Sequence, residues 1–267
     1  MFSIFFLLFI SSSLGVPVLK ENGEKRGFFG FERFEGDMML SKQQIGAAEQ
    51  GLDPTNLGGA RGLKRSAQWP GGVVPYTIHS SAKNKFLNAI GIKGPTERVI
   101  YSAMKEWEEK TCIRFVPRTT QKDYVEFFAG EGCWSYVGNL KNGKQQISIG
   151  SLCYFHGIAL HEIGHALGFW HEQSRPDRDD YVEIVWDNIK PENKHNFNKY
   201  GHGSIDSLGV PYDYGSIMHY GKRDFARWPW QTTIRPRKSG VSIGQRSHLS
   251  PLDVKQMNLY YKCNTKK

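Results

Sequence analysis

His161-Glu-Ile-Gly-His165-Ala-Leu-Gly168-Phe-Trp-His171 is the stretch on which the reading of this chain turns. His161 and His165 stand four residues apart, so on a helix both imidazoles leave one face and can share one ion. Glu162 lies beside them, close enough to polarise a water on that ion. Leu160, Ile163 and Leu167 fall on other faces and can anchor the helix in a core. A helix cannot wrap three ligands around one ion at this spacing, so a third must come from an altered chain direction. Gly168, free to adopt positive φ, ends the helix and supplies the turn, and His171 then swings to the metal. Three neutral imidazoles plus a water describe an open catalytic zinc site, whereas a structural site is closed by four protein ligands. A lone H-E-x-x-H also arises by chance or as a solvated helix face; the glycine and third histidine at fixed offsets argue against coincidence. His79, His156, His195, His202 and His248 are read as ordinary polar residues.

A helix is expected after Pro95, with Thr96 as its cap and Val99, Ile100, Ala103, Met104 and Trp107 at helical spacing. β-Branched residues cluster within Trp69-Pro-Gly-Gly-Val-Val-Pro-Tyr-Thr-Ile78, and strand-like runs follow at Ile113–Val116, Tyr124–Phe128 and Gln145–Ile149. A last helix is expected from Ser250-Pro-Leu-Asp253, a cap with proline at the first helical position and an acid three residues on. Its expected end is Cys263.

The chain opens with the apolar run Met1–Ile10 and the small residues of Ser11-Ser-Ser-Leu-Gly15. That run is too short to span a bilayer and reads as a secretory signal over residues 1–15, although no Lys or Arg precedes it. Residues 16–65 are Gly-rich and charged and read as a propeptide, punctuated by Arg61 and by Lys64-Arg65. Residues 66–267 form the compact domain. No later run suits a membrane anchor, and no appended module is expected after Cys263. The protein is therefore expected outside the cell.

Four cysteines are present, and no C-x-x-C pair that would suggest a zinc cluster. In an oxidising compartment they imply two disulfides with three possible connectivities. A Cys112–Cys263 bond would pin the last helix to the first half of the domain and leave Cys133–Cys153 to close a local loop. Hydrophobic residues at 39% and aromatics at 13% fit a globular chain. The formal charge is +9, with 35 Lys and Arg against 26 Asp and Glu, but the basic residues are scattered. They form no basic helix and no aromatic stacking motif, which argues against a nucleic-acid partner and leaves weak attraction to acidic substrates.

The longer run from His161 through Glu172-Gln-Ser-Arg-Pro-Asp-Arg-Asp-Asp-Tyr-Val182 resembles the extended signature of the astacin family of metzincin proteases. Ser216-Ile-Met-His-Tyr220 is similar to the family's Met-turn. Glu172, directly after the third histidine, separates astacins from matrixins, adamalysins and serralysins. The likeness covers about residues 66 to 263 and includes all four cysteines. It implies an α+β, two-lobed metzincin: an upper lobe with a twisted mixed five-stranded sheet and the active-site helix, and a mostly irregular lower lobe with a C-terminal helix.

The resemblance further implies a monomeric endopeptidase that hydrolyses proteins or peptides with one zinc ion per chain. Its ligands would be His161, His165 and His171, with Glu162 as base. Met218 would floor the site. Tyr220 would be a further zinc ligand that swings away to stabilise the tetrahedral intermediate. Glu172 would belong to a buried network near the mature N-terminus, and the disulfides would be Cys112–Cys263 and Cys133–Cys153. Phe34-Glu-Gly-Asp37 is similar to the family's latency motif, in which an aspartate replaces the zinc-bound water. An activating protease would cut after Arg61 or Arg65, where the spacing departs from the commonest family pattern. Arg246, in Ile243-Gly-Gln-Arg-Ser247, stands where the tolloid branch places an arginine in the primed-side pocket.

Overall fold

The computed structural model describes residues 33–40, 44, 67–199 and 207–263. The expected signal 1–15, most of the propeptide, Arg61, Arg65 and His202 lie outside the described residues.

One mixed sheet dominates. Its strands are β1 (Met38–Met39), β2 (Val73–Ile78), β3 (Arg114–Pro117), β4 (Tyr124–Phe128), β5 (Cys133–Tyr136) and β6 (Lys144–Ile149), in the order β1-β5-β6-β4-β2-β3. The β2–β3, β2–β4 and β4–β6 pairs are parallel, whereas β5 runs antiparallel to β6. Alternation decides which face is buried: Val125 and Phe127 of β4 turn into the core and their neighbours are less buried. Five strands are expected from the resemblance and six are found. The extra strand is β1, which lies parallel along the outer edge of β5 with Met38 opposite Ser135.

After the short helix α1 (Lys85–Ala89), helix α2 (Pro95–Lys110) buries Ile100, Ala103, Met104 and Trp107. Thr96 is not its cap. Pro95 takes the first helical position, where a missing N–H costs nothing, and this moves the N-cap to Gly94, which makes no side-chain cap bond. Helix α3 (His156–Leu167) packs against α2, and the indole of Trp107 donates to the Leu160 carbonyl at 3.2 Å. Leu160, Ile163 and Leu167 are fully buried in the same core cluster.

Beyond α3 regular structure thins. A second apolar cluster gathers Val182, Ile189, Phe197, Tyr212, Tyr220 and Ile234 around the two-stranded pair β7 (Val182–Ile184) and β8 (Ile234–Pro236). Helix α4 (Pro251–Tyr261) carries the full capping box: the Ser250 hydroxyl accepts from Leu252 and Asp253, and the Asp253 carboxylate accepts from the Ser250 N–H. It ends at Tyr261, two residues short of Cys263, with Lys262 as a C-cap in the left-handed region. Cys112 is bonded to Cys263 and Cys133 to Cys153, so one bridge ties α4 back to the end of α2 and the other closes a loop of the sheet.

Candidate active site

Helix α3 presents His161 and His165 on one face, and Gly168 ends it with φ at 114°. That conformation costs a residue with a Cβ about 1–2 kcal/mol, and glycine avoids the cost. The chain turns there and carries His171 back to the other two imidazoles. A second glycine matters one turn earlier. A Cβ on Gly164 would lie 2.8 Å from the sulfur of Met218, so its absence lets the Met-turn pack directly beneath the histidines.

The three rings converge. His165 Nε2 lies 3.1 Å and His171 Nε2 3.3 Å from His161 Nε2. Each opposite nitrogen is already committed: His161 Nδ1 donates to the Ile217 carbonyl and His165 Nδ1 to the Phe169 carbonyl, both at 2.8 Å. A carbonyl can only accept, so those rings carry their protons on Nδ1 and direct lone pairs at each other. Lone pairs held this close repel unless a cation shares them. Burial reinforces the state, holding the His161 imidazolium's pKa down at about 3, aided by Arg246, and lowering that of His165 as well. With Asp37, the three histidines place one ligand atom each within 4.8 Å of one another. This donor set fits zinc.

Asp37 and Glu35 close the site from the segment ahead of the sheet. Asp37 Oδ2 lies 3.1 Å from His161 Nε2, and Oδ1 lies 3.1 Å from His171 Nε2. Burial works against its charge, but the charge of the His171 imidazolium outweighs it and holds its carboxyl well below the ordinary range. Glu35, which sequence reasoning passed over, is fully buried with φ at 48°. Its carboxylate accepts from His171 Nδ1 and from the Ser174 hydroxyl, both at 2.7 Å. Burial would lower the pKa of His171, but the two carboxylates outweigh it and raise the value to about 9. The Glu35 carbonyl also accepts from the Tyr220 hydroxyl. Phe34, Met38 and Leu40 pack with Val137 and Trp170, so the segment is held by apolar contacts as well.

Glu162 lies on the wall of a cleft of about 460 Å³ that it shares with Asp37, His161, Tyr220, Phe225 and Arg246. Its Oε2 is buried with no hydrogen-bond partner among the described residues, and burial plus the nearby Asp37 raise its pKa well above the usual value. Arg246 donates through one terminal nitrogen to the carbonyls of His219 and Gln245, at 3.0 and 2.9 Å. Two other arginines of the same half are engaged elsewhere: Arg235 pairs with Glu183 at 2.6 Å, and Arg237 donates to the Asp179 carbonyl. Glu172 is buried, accepts from Arg175 at 3.1 Å and from the Asp213 N–H at 2.8 Å, and is pushed up to about 8 by burial despite Arg175. His156 bonds to Glu106 and Ser102, away from the cleft. Glu35 and Ser174 both lie inside the quoted motifs, but nothing in the sequence pairs either with His171. Glu35 stands 136 residues from His171 and 139 from Ser174, and only the fold joins them.

The comparisons with known proteins agree with this architecture. The family model described as Astacin, a peptidase family, matches residues 62–262. Blastula protease 10 of Paracentrotus lividus is 43% identical over 243 residues, covering 86% of this chain and 39% of that protein. Zinc metalloproteinase nas-15 of Caenorhabditis elegans is 42% identical over 239 residues, covering 87% of this chain and 40% of its own length. This chain thus spans about two fifths of the length of the curated relatives it matches. Among solved structures, high choriolytic enzyme 1, a hatching enzyme zinc-protease from Oryzias latipes, superposes with a TM-score of 0.65 at 40% identity, over 74% of this chain and 96% of that one. By fold, by sequence and by the convergent histidines of α3, the chain belongs to the astacin family of peptidases.

Proposed function

We propose that this chain is the precursor of a secreted zinc-dependent endopeptidase, kept silent by Asp37 until an activating protease cuts after Arg61 or Arg65. One observation carries the reading: three Nε2 atoms converge, two of them with their ring protons committed to carbonyls, beside a buried carboxylate. His161, His165 and His171 would hold one zinc ion. When bound, zinc supplies Lewis acidity, polarising a peptide carbonyl and lowering the pKa of water from 15.7 towards roughly 7.

The chain's own residues do the rest. Glu162 accepts the proton of the attacking water and returns it to the leaving amine. Tyr220 leaves the Glu35 carbonyl when that segment departs, and donates to the substrate oxygen as it gains charge. Arg246 faces the same cleft with a planar, permanently charged fork and selects an acidic residue just after the scissile bond. Water is the nucleophile, so no serine or cysteine is needed. Residues 1–15 act as the secretory signal, and two disulfides suit the oxidising compartment to which it leads. The activated domain, from residue 62 or 66, acts on proteins or peptides as a monomer.

The test is metal content and casein digestion of the activated protein. One zinc per chain is expected, with digestion abolished by a zinc chelator and restored by added zinc. Digestion that is indifferent to the chelator would sink the proposal. Zinc retained without any proteolysis would identify a binding scaffold.

A further inference from the structure

The zinc-site reading assigns His161 its Nδ1 bond to the Ile217 carbonyl, but the polar chain does not stop at that carbonyl. The Ile217 C=O and the Met218 N–H are the two ends of one planar peptide unit. The Met218 N–H donates to Ser216 Oγ at 3.0 Å, and Ser216 Oγ donates to Asp253 Oδ1 at 2.7 Å. The other Asp253 oxygen accepts from the Ile217 N–H and the Ser250 N–H, both at 2.9 Å. Each donor in the series points the same way, from imidazole to carbonyl, across the peptide, to hydroxyl, to carboxylate. Aligned bonds polarise one another in a low-dielectric interior, and His161, Ser216, Ile217, Met218 and Asp253 are all buried.

We infer that Asp253, the capping acid of α4, is a positioning residue of the metal site that orients and enriches His161 through Ser216 and the Ile217–Met218 peptide. A carboxylate bonded directly to a ligand histidine fixes its tautomer and raises its basicity. Here a serine and one peptide unit are interposed, so the helix cap and the ligand orientation are one structure. His165 Nδ1 ends on the Phe169 carbonyl, and the carboxylate on His171 is Glu35, which departs with the propeptide. In the activated enzyme His161 would keep its acid behind it.

The inference rests on the zinc reading, and its test separates the two. Zinc-loaded full-length chain is mixed with excess chromogenic chelator, and the release rate, melting temperature and visible spectrum of the cobalt-substituted form are recorded. Ser216→Ala cuts the relay but spares the α4 cap. Asp253→Asn removes the charge, and Ser250→Ala weakens the cap while leaving the Ser216–Asp253 bond. Ser216→Ala and Asp253→Asn should release zinc roughly 10-fold faster and shift the cobalt bands. Ser250→Ala should lower the melting temperature with release within about twofold of wild type. If Asp253→Asn does not fold, Ser216→Ala decides alone. Release and spectra unchanged in the relay variants, or Ser250→Ala accelerating release equally, overturn the inference while zinc binding by the wild type leaves the metal site standing. A wild type that takes up no zinc overturns both.

Discussion

Glu162 and Arg246 face one cleft and are expected to fail in different ways. Glu162 is adjacent to His161 in sequence and is not among the proposed ligands, so Glu162→Ala should retain zinc and the fold. Loss of a general base is worth ~10²–10⁴ in rate, and casein or peptide hydrolysis should fall by at least that much. Near-normal turnover in a zinc-replete variant would remove Glu162 from the mechanism. Arg246 should govern choice instead of rate. Its remaining donors can form a charge-assisted pair with an acidic side chain, and truncating one partner of such a buried pair costs ~2–5 kcal/mol. Arg246→Ala should therefore abolish a preference for Asp or Glu after the scissile bond and leave neutral peptides largely unaffected. A peptide-library profile of wild type without acidic preference would end this assignment.

The elements were legible where local chemistry defines them. Gly168 stops α3 because only a left-handed residue allows the turn to His171, and Ser250 with Asp253 starts α4 through a capping box. Legibility failed where tertiary pairing decides. Cys133–Tyr136 is four residues long and becomes a strand through pairing with Ser148 and its neighbours. Asp253 could be read as a cap, but its second role toward Ser216 joins positions 37 residues apart. Glu106 is a similar long-range anchor: from α2 it accepts from Lys110 at 2.7 Å, His156 at 2.6 Å and the Leu249 N–H at 2.8 Å, just ahead of α4. Burial opposes its charge, but these bonds hold its carboxyl below the ordinary value. A depressed acid contributes stability that is complete above its unfolded pKa, near 4.3, and is lost as pH falls through the folded value. Glu106→Gln should cost about 2 kcal/mol at pH 7 and less at pH 4. Urea unfolding at the two pH values checks this, and an equal loss at both would refute the electrostatic account.

On the scale of the whole molecule, the segment ahead of the domain does two separable things to the cleft. Its side chains fill the metal site, Asp37 against the imidazoles and Glu35 behind His171. Its backbone covers the cleft edge, since β1 pairs with β5 and the Ser135 N–H donates to the Asp37 carbonyl at 2.9 Å. A side-chain substitution can remove the first effect and spare the second. In Asp37→Ala the backbone carbonyl survives, as do the apolar contacts of Phe34, Met38 and Leu40, each worth roughly 1.5–3 kcal/mol when fully buried. The uncleaved Asp37→Ala precursor should therefore hydrolyse short peptides while its Ser135 amide stays protected from hydrogen exchange. Cleavage and release of the propeptide should then expose that edge, and Ser135 should exchange orders of magnitude faster, as expected for a strand amide that loses its partner. Exchange mass spectrometry over residues 133–136, run beside a fluorogenic peptide assay, reads both effects in one preparation. An Asp37→Ala precursor as inert as wild type with β5 still protected would assign latency to the backbone cover. If β5 is deprotected in the uncleaved variant, then the aspartate is what holds the strand in place, and the two effects are one.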